Sequence, residues 1–173
     1  GYDALGRTLG GTQTIGSQSY SITSVVYDRA GHLLNESYPS GRTVTNAYDN
    51  AGRLSSFTGK LGDGTTRNYA TGISYDNANH WVREQFGTST PTSTPLYNKR
   101  HYNNREELYD MRLSTVNDDG DGNRGAIVNY YSLANYGFGN TGTDTNGNLY
   151  VQQHWVPTDE GYTVHQQNYS YDS

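Results

Sequence analysis

Four stretches of the chain alternate β-prone and polar residues and close on the same pair of letters. YSITSVVYD runs from Tyr20, RTVTNAYD from Arg42, TGISYD from Thr71 and YTVHQQNYSYD from Tyr162. Side chains of a strand point alternately to opposite faces, so a Tyr or Val at every second place predicts one packed face and one wet face. Turn formers follow each run and also stand at the far ends, as YPSGR (Tyr38 to Arg42), LGDGT (Leu61 to Thr65) and STPTSTP (Ser89 to Pro95). The prolines of that last run exclude a central strand there and predict an exposed loop. No stretch shows helical periodicity. The pattern predicts an all-β chain of tandem antiparallel hairpins.

The closing pair opens a repeat. Counting from each Tyr, Asp follows at plus one in Tyr2-Asp3, Tyr27-Asp28, Tyr48-Asp49 and Tyr75-Asp76. Gly6, Gly31 and Gly52 stand at plus four, and the fourth copy has Asn79 there, the residue that best tolerates positive φ after Gly. Leu33, Leu54 and Trp81 stand at plus six, with Thr8 in the first copy. In physical terms the Tyr packs the strand and the Asp accepts a nearby N–H to open the turn. Gly closes the hairpin with a bulge, and the plus-six residue returns to the packed face. YNNREEL from Tyr102 is a degenerate copy with Glu106 at the Gly place. TDTNGNL from Thr143 is another, without the Tyr, and Tyr171-Asp172 opens the next. The step from Tyr102 to Thr143 is the long one, which predicts an insertion over about residues 110–142 of an otherwise continuous array spanning 1–173. Because the chain opens and closes inside the motif, a longer parent array is expected.

Composition changes the picture of the core. Only 32% of residues are hydrophobic and the mean hydropathy is −0.89, so a Leu/Ile/Val core is not expected. Seventeen Tyr supply apolar rings with polar tips instead, which suits a half-wet sheet. A charge of −5 without a Lys/Arg cluster argues against nucleic acid, and no run of 18 apolar residues predicts a membrane span. There is no Cys, so disulfides and thiolate chemistry are excluded.

The stretches YDALGRT, YDRAGHL, YPSGRTVTNAYDNAGRL and YDNANHW resemble the YD repeats of the Rhs, wall-associated protein, toxin-complex and teneurin group. The resemblance is clearest over residues 1–82. It implies hairpins in a curved or spiralling sheet that builds the wall of a shell, stalk or fibre. It also implies a secreted or cell-surface bacterial parent, for toxin encapsulation or adhesion. The expected partners are neighbouring repeats of the parent or copies of the same chain, in an oligomer or fibre.

Candidate chemistry is thin. Asn117, Asp119 and Asp121 with Gly122 match the first half of a calcium loop, but Val128 stands where the bidentate Glu belongs. A structural calcium and a plain solvated Asp/Gly turn are the two readings. No other cofactor is expected. His32 and His80 fall at plus five, the place of Arg7 and Arg53, and are expected as exposed turn residues, whereas an Arg there is expected to stack on a neighbouring Tyr or pair with a repeat Asp. Glu106 and Glu107 are adjacent and would face opposite ways on a strand. No nucleophile–base pair emerges, so a non-catalytic role is expected. Carbohydrate or partner binding is the alternative, with Tyr136 and Trp155 as candidate contacts because they lie outside the repeat grid. Interior packing of these two rings is the competing reading.

Overall fold

The computed structural model describes residues 1–87, 94–120, 122–132 and 146–172. Among them are thirteen strands and no helix. They are β1 (Gly11–Ile15), β2 (Gln18–Ile22), β3 (Ser24–Tyr27), β4 (Leu33–Ser37), β5 (Thr43–Tyr48), β6 (Leu54–Lys60) and β7 (Thr66–Tyr75). Then come β8 (Trp81–Phe86), β9 (Leu96–Tyr102), β10 (Leu108–Ser114), β11 (Gly125–Tyr130), β12 (Val151–Thr158) and β13 (Gly161–Asn168). The expected all-β class with tandem antiparallel hairpins is what the chain adopts.

The chain divides into two compact units. The first comprises Gly1–Ile73 with Phe86–Ser93. There β1 and β2 form a separate hairpin, and β3 to β7 pair antiparallel in chain order. The second comprises Ser74–Gln85 with Thr94–Ser173. There β9 to β13 again pair antiparallel in chain order, and β8 lies beside β9. Consecutive pairing needs only short connections, which the Asp-x-x-Gly turns supply. The predicted bulge is present: Tyr27 faces Leu33 and Tyr48 faces Leu54, each after a register shift one residue before the Tyr.

The core is small and mixed. Val25, Ala70 and Ile73 are buried in the first unit, and Val128, Tyr130 and Val151 form a cluster in the second with Tyr150 and Trp155 against it. As many polar residues are buried, namely Glu84, Lys99, Asp110, Ser114, Asn129 and Ser132. All six belong to the second unit, where hydrogen bonding has to carry what apolar packing does not. Within the span expected to hold an insertion, residues 108–114 and 125–130 are the regular strands β10 and β11.

Candidate functional site

Each repeat turn is a small polar machine built on its Asp. In the first copy Asp3 N–H donates to the Arg7 carbonyl (2.9 Å) and Gly6 N–H to the Asp3 carbonyl (3.0 Å). Oδ1 of Asp3 accepts the backbone N–H groups of Leu5 and Arg7, both at 2.9 Å, and Oδ2 accepts Nε of Arg7 at 2.6 Å. The same frame recurs at Asp49 with Arg53, and at Asp28 with His32 and Asp76 with His80, where the His Nδ1 takes the guanidinium's place. One carboxylate thus satisfies the turn's orphan donors and anchors the plus-five side chain. The consequence is acidity. Asp3 and Asp49 are held below the ordinary 3.8 chiefly by the plus-five N–H, and Asp28 chiefly by the His32 side chain. For Asp76 burial pulls upward most strongly, yet the bonds from His80 and Ala78 together leave it lowered as well.

The plus-five side chain then reaches the next repeat. Arg7 lies over the Tyr27 ring with its guanidinium carbon 4.6 Å from the centroid, and its Nη1 donates to the Asp28 carbonyl at 3.1 Å. His32 stacks on Tyr48 (4.6 Å) and His80 on Tyr102 (4.1 Å). Both roles foreseen for an Arg at this position, pairing with Asp and stacking on Tyr, are filled by one side chain, by His as by Arg. The glycine of the following turn leaves it room. A Cβ on Gly52 would sit 3.0 Å from Nε2 of His32, while φ of +77° already favours Gly.

The degenerate copy keeps the frame with its polarity reversed. Asn103 stands in the Asp place and Glu107 at plus five, so Asn103 Nδ2 donates to Glu107 Oε2 at 2.7 Å. Oδ1 of Asn103 still accepts the N–H groups of Arg105 and Glu107. Glu106, at the Gly place, is forced to φ +65°, and Asn79 in the fourth copy to +69°.

A second tie joins successive repeats through the tyrosine hydroxyl. Oη of Tyr48 and Nδ2 of Asn46 both donate to the Leu33 carbonyl at 2.9 Å. Oη of Tyr131 and Nδ2 of Asn129 do the same to the Leu108 carbonyl, at 3.2 and 2.9 Å. Tyr131 therefore takes a repeat's Tyr place after Tyr102, and Thr143 lies outside the described residues. The extra chain length falls between Tyr131 and Leu149, whose carbonyl accepts Oη of Tyr171. Sequence reading missed this because Tyr131 lacks a following Asp; the Asn two places before it was the available signal.

The second unit buries a charged group on its β9–β10 pair. The register sets Asp110 opposite His101 and Arg112 opposite Lys99. Asp110 has no exposure; its Oδ1 meets His101 Nδ1 at 2.5 Å and its Oδ2 meets Nη2 of Arg112 at 2.7 Å. Arg112 also donates through Nη1 to the carbonyls of Asp119 (3.2 Å) and Gly120 (2.7 Å). Lys99, 1% exposed, gives its ammonium to the carbonyls of Val116 and Asp118. The Asp/Gly loop is therefore held at its carbonyls by two cations of the chain itself. Asn117 and Asp119 of the candidate calcium set are exposed, and Asp121 lies outside the described residues. Among the described residues no three His, Cys, Asp or Glu gather to hold a metal.

Beside this group, within the same unit, is a cavity of about 390 Å³ lined by Asp76, Arg83, Arg100, His101, Tyr102 and Tyr109 with three further residues. Nε of Arg83 and Nη1 of Arg100 are shielded from water and have no hydrogen-bond partner among the described residues. A donor so placed costs roughly 1–3 kcal/mol. Tyr109 is held above its ordinary 10.0 by burial first and the Asp110 charge second. Arg83, Arg100 and Tyr109 were not singled out from sequence, because nothing in an alternating strand distinguishes a lining Arg from a solvated one. The named ligand candidates fall elsewhere. Tyr136 lies outside the described residues, and Trp155 packs on the buried Val128 cluster and against Tyr162.

Comparison with known proteins finds one family-model match and similar folds. Residues 27–66 match the model of the RHS repeat. A search of the curated proteins finds no match. Among solved structures, TcdB2-TccC3 aligns over 98% of this chain at a TM-score of 0.72 and 16% identity. The same complex without its hypervariable C-terminal region aligns over 99% at 0.73 and 17%. The Photorhabdus luminescens Tc holotoxin pore aligns over 96% at 0.71 and 16%. In each case the chain spans only 8% of the solved chain's length. Residues 27–66 thus match an RHS repeat, and the hairpin fold of nearly the whole chain is similar to that of these toxin-complex structures.

Proposed function

We propose that the chain is a non-catalytic wall segment of a large secreted YD-repeat shell of the toxin-complex kind, with neighbouring repeats of the parent as its main partners. One observation carries this reading: the repeat's polar side chains are spent on the next repeat. Arg7 ties to Tyr27 and Asp28, His32 to Tyr48, and the hydroxyl of Tyr48 to the Leu33 carbonyl. Such side chains make a continuous wall, in which each unit is stabilised by its neighbours, rather than a convergent reactive site. Alignment of almost the whole chain with 8% of the toxin-complex chains supports a wall role within a much longer polypeptide. β13 is exposed along its length and offers an unpaired edge for continuation.

Electron microscopy of the secreted polypeptide that carries this chain tests the proposal. A hollow particle that protects an enclosed segment from added protease is the expected result. A solid fibre, or a particle with no protected interior, would replace encapsulation by an adhesive or filamentous role.

A further inference from the structure

We propose that the cavity between the side chains of β8, β9 and β10 binds an acidic saccharide, with Arg83 and Arg100 reading its carboxylate. The site is independent of the wall reading, since a wall segment can carry or lack it.

The cationic side comes first. Among the described residues the Arg83 side chain makes no hydrogen bond or ion pair; its guanidinium carbon rests 5.3 Å from the centre of the Tyr97 ring, which leaves Nε enclosed. Arg100 gives Nη2 to the buried Glu84 at 2.8 Å and lies 5.3 Å from the centre of the Trp81 ring, which fixes the guanidinium and encloses its Nη1. The two guanidinium groups line one cavity, and the terminal N–H fork of Arg83, beside the charge of Arg100, fits a planar carboxylate, which accepts such donors in pairs.

The other side argues against a bare anion. Asp76 and Asp119 also line the cavity. Their charge opposes a compact dianion such as phosphate, yet their oxygens suit the hydroxyl donors of a sugar. Ser74 and His101 add further hydroxyl partners. Tyr102 and Tyr109 line the cavity too, and aromatic side chains of this kind pack on the C–H face of a pyranose. The supports are firm: Tyr102 is stacked on His80, and His101 is held by the fully buried Asp110. The arginines and rings thus stand on strands, while Asp76 sits in a turn anchored by His80 and Asp119 in the loop held by Arg112, which pre-organises the site. A volume of about 390 Å³ lies in the roughly 300–1,000 Å³ range of small-molecule sites.

The test is an NMR titration of the full-length chain with D-glucuronate, D-glucose and inorganic phosphate. Glucuronate is expected to bind saturably and at least about tenfold more tightly than glucose, and equimolar phosphate is expected not to displace it. Arg83→Gln should weaken glucuronate at least about tenfold while leaving the thermal midpoint unchanged. Should that variant fail to fold, Arg83→Lys keeps the charge without the planar fork and should show the same loss. Four results each overturn the proposal: no saturable glucuronate binding, equal binding of glucose, displacement by phosphate, or undiminished binding by the folded Arg83 variant.

Discussion

His32 lies flat on Tyr48, ring centroids 4.6 Å apart, although the two belong to successive repeats. The same imidazole is held from behind by Asp28 at 2.7 Å, so one side chain links two turns. Arg7 performs the equivalent task on Tyr27. His32→Ala should therefore cost about 1 kcal/mol through loss of the ring contact. His32→Arg should cost much less, because a guanidinium can take both partners as Arg7 does. Urea unfolding of the two variants measures the difference; equal losses would mean that the stack contributes nothing.

The turn at Asn103 runs on reversed polarity, with Asn103 Nδ2 donating to Glu107 Oε2 at 2.7 Å. Asn103→Asp would set two carboxylates in that contact and should destabilise by about 1–2 kcal/mol. Adding Glu107→Arg to the same chain recreates the pairing seen at Asp3 and Arg7 and should recover most of the loss. A double-mutant cycle reads the coupling directly. Additive effects would show that the two side chains do not act as a pair.

Glu106 occupies the place where three other turns have Gly, at φ +65°. The left-handed conformation costs an ordinary residue roughly 1–2 kcal/mol, while Gly gives up more chain entropy on folding. Glu106→Gly should on balance stabilise by about 0.5–1 kcal/mol. A fall in the unfolding midpoint would mean that the Glu side chain contributes more than its backbone costs.

The repeat was legible because its physics is local. Tyr-Asp-x-x-Gly fixes a strand end, a turn acceptor and a positive φ within five residues, and Asp3, Asp28, Asp49 and Asp76 all do what their place implies. What lay hidden depends on register. Asp110 meets Arg112 two places along its own strand, but it meets His101 only because β9 and β10 pair as they do. Arg83 and Arg100 share a cavity across a 17-residue separation, with nothing in their neighbours to mark them. Trp155, conspicuous as a letter, turned out to cover the Val128 cluster. That is the interior-packing reading, since a large aromatic off the repeat grid serves packing as readily as binding.

Acid should act on the turns in a predictable direction. Asp3, Asp28, Asp49 and Asp76 are all lowered from 3.8 in the folded chain. Their ionised forms therefore favour folding in full above that value, and the contribution is lost as pH falls through the folded values. Stability should be insensitive to these groups near neutrality and drop below about pH 4. Asp49→Asn keeps an oxygen for the backbone donors of Ala51 and Arg53 but removes the titration. Comparing urea midpoints at about pH 6 and about pH 3 should give this variant the smaller drop. A drop equal to that of the parent chain would place the acid sensitivity elsewhere.

Lys99 is the buried strut of the Asp/Gly loop. Only 1% exposed, it holds the Val116 and Asp118 carbonyls, while Arg112 holds those of Asp119 and Gly120. Lys99→Met preserves most of the stem's volume but leaves two carbonyls with one fewer donor, at a cost of about 2 kcal/mol. The loop should then be cut faster by a protease at low dose, while the β9–β10 pairing persists through Asp110 and His101. In the parent chain the two cations already meet the loop's carbonyls, so a chelator should leave the thermal midpoint where it was. A chelator-induced fall would show instead that Asn117 and Asp119 contribute to a metal site, and that Lys99 supports a loop built for calcium.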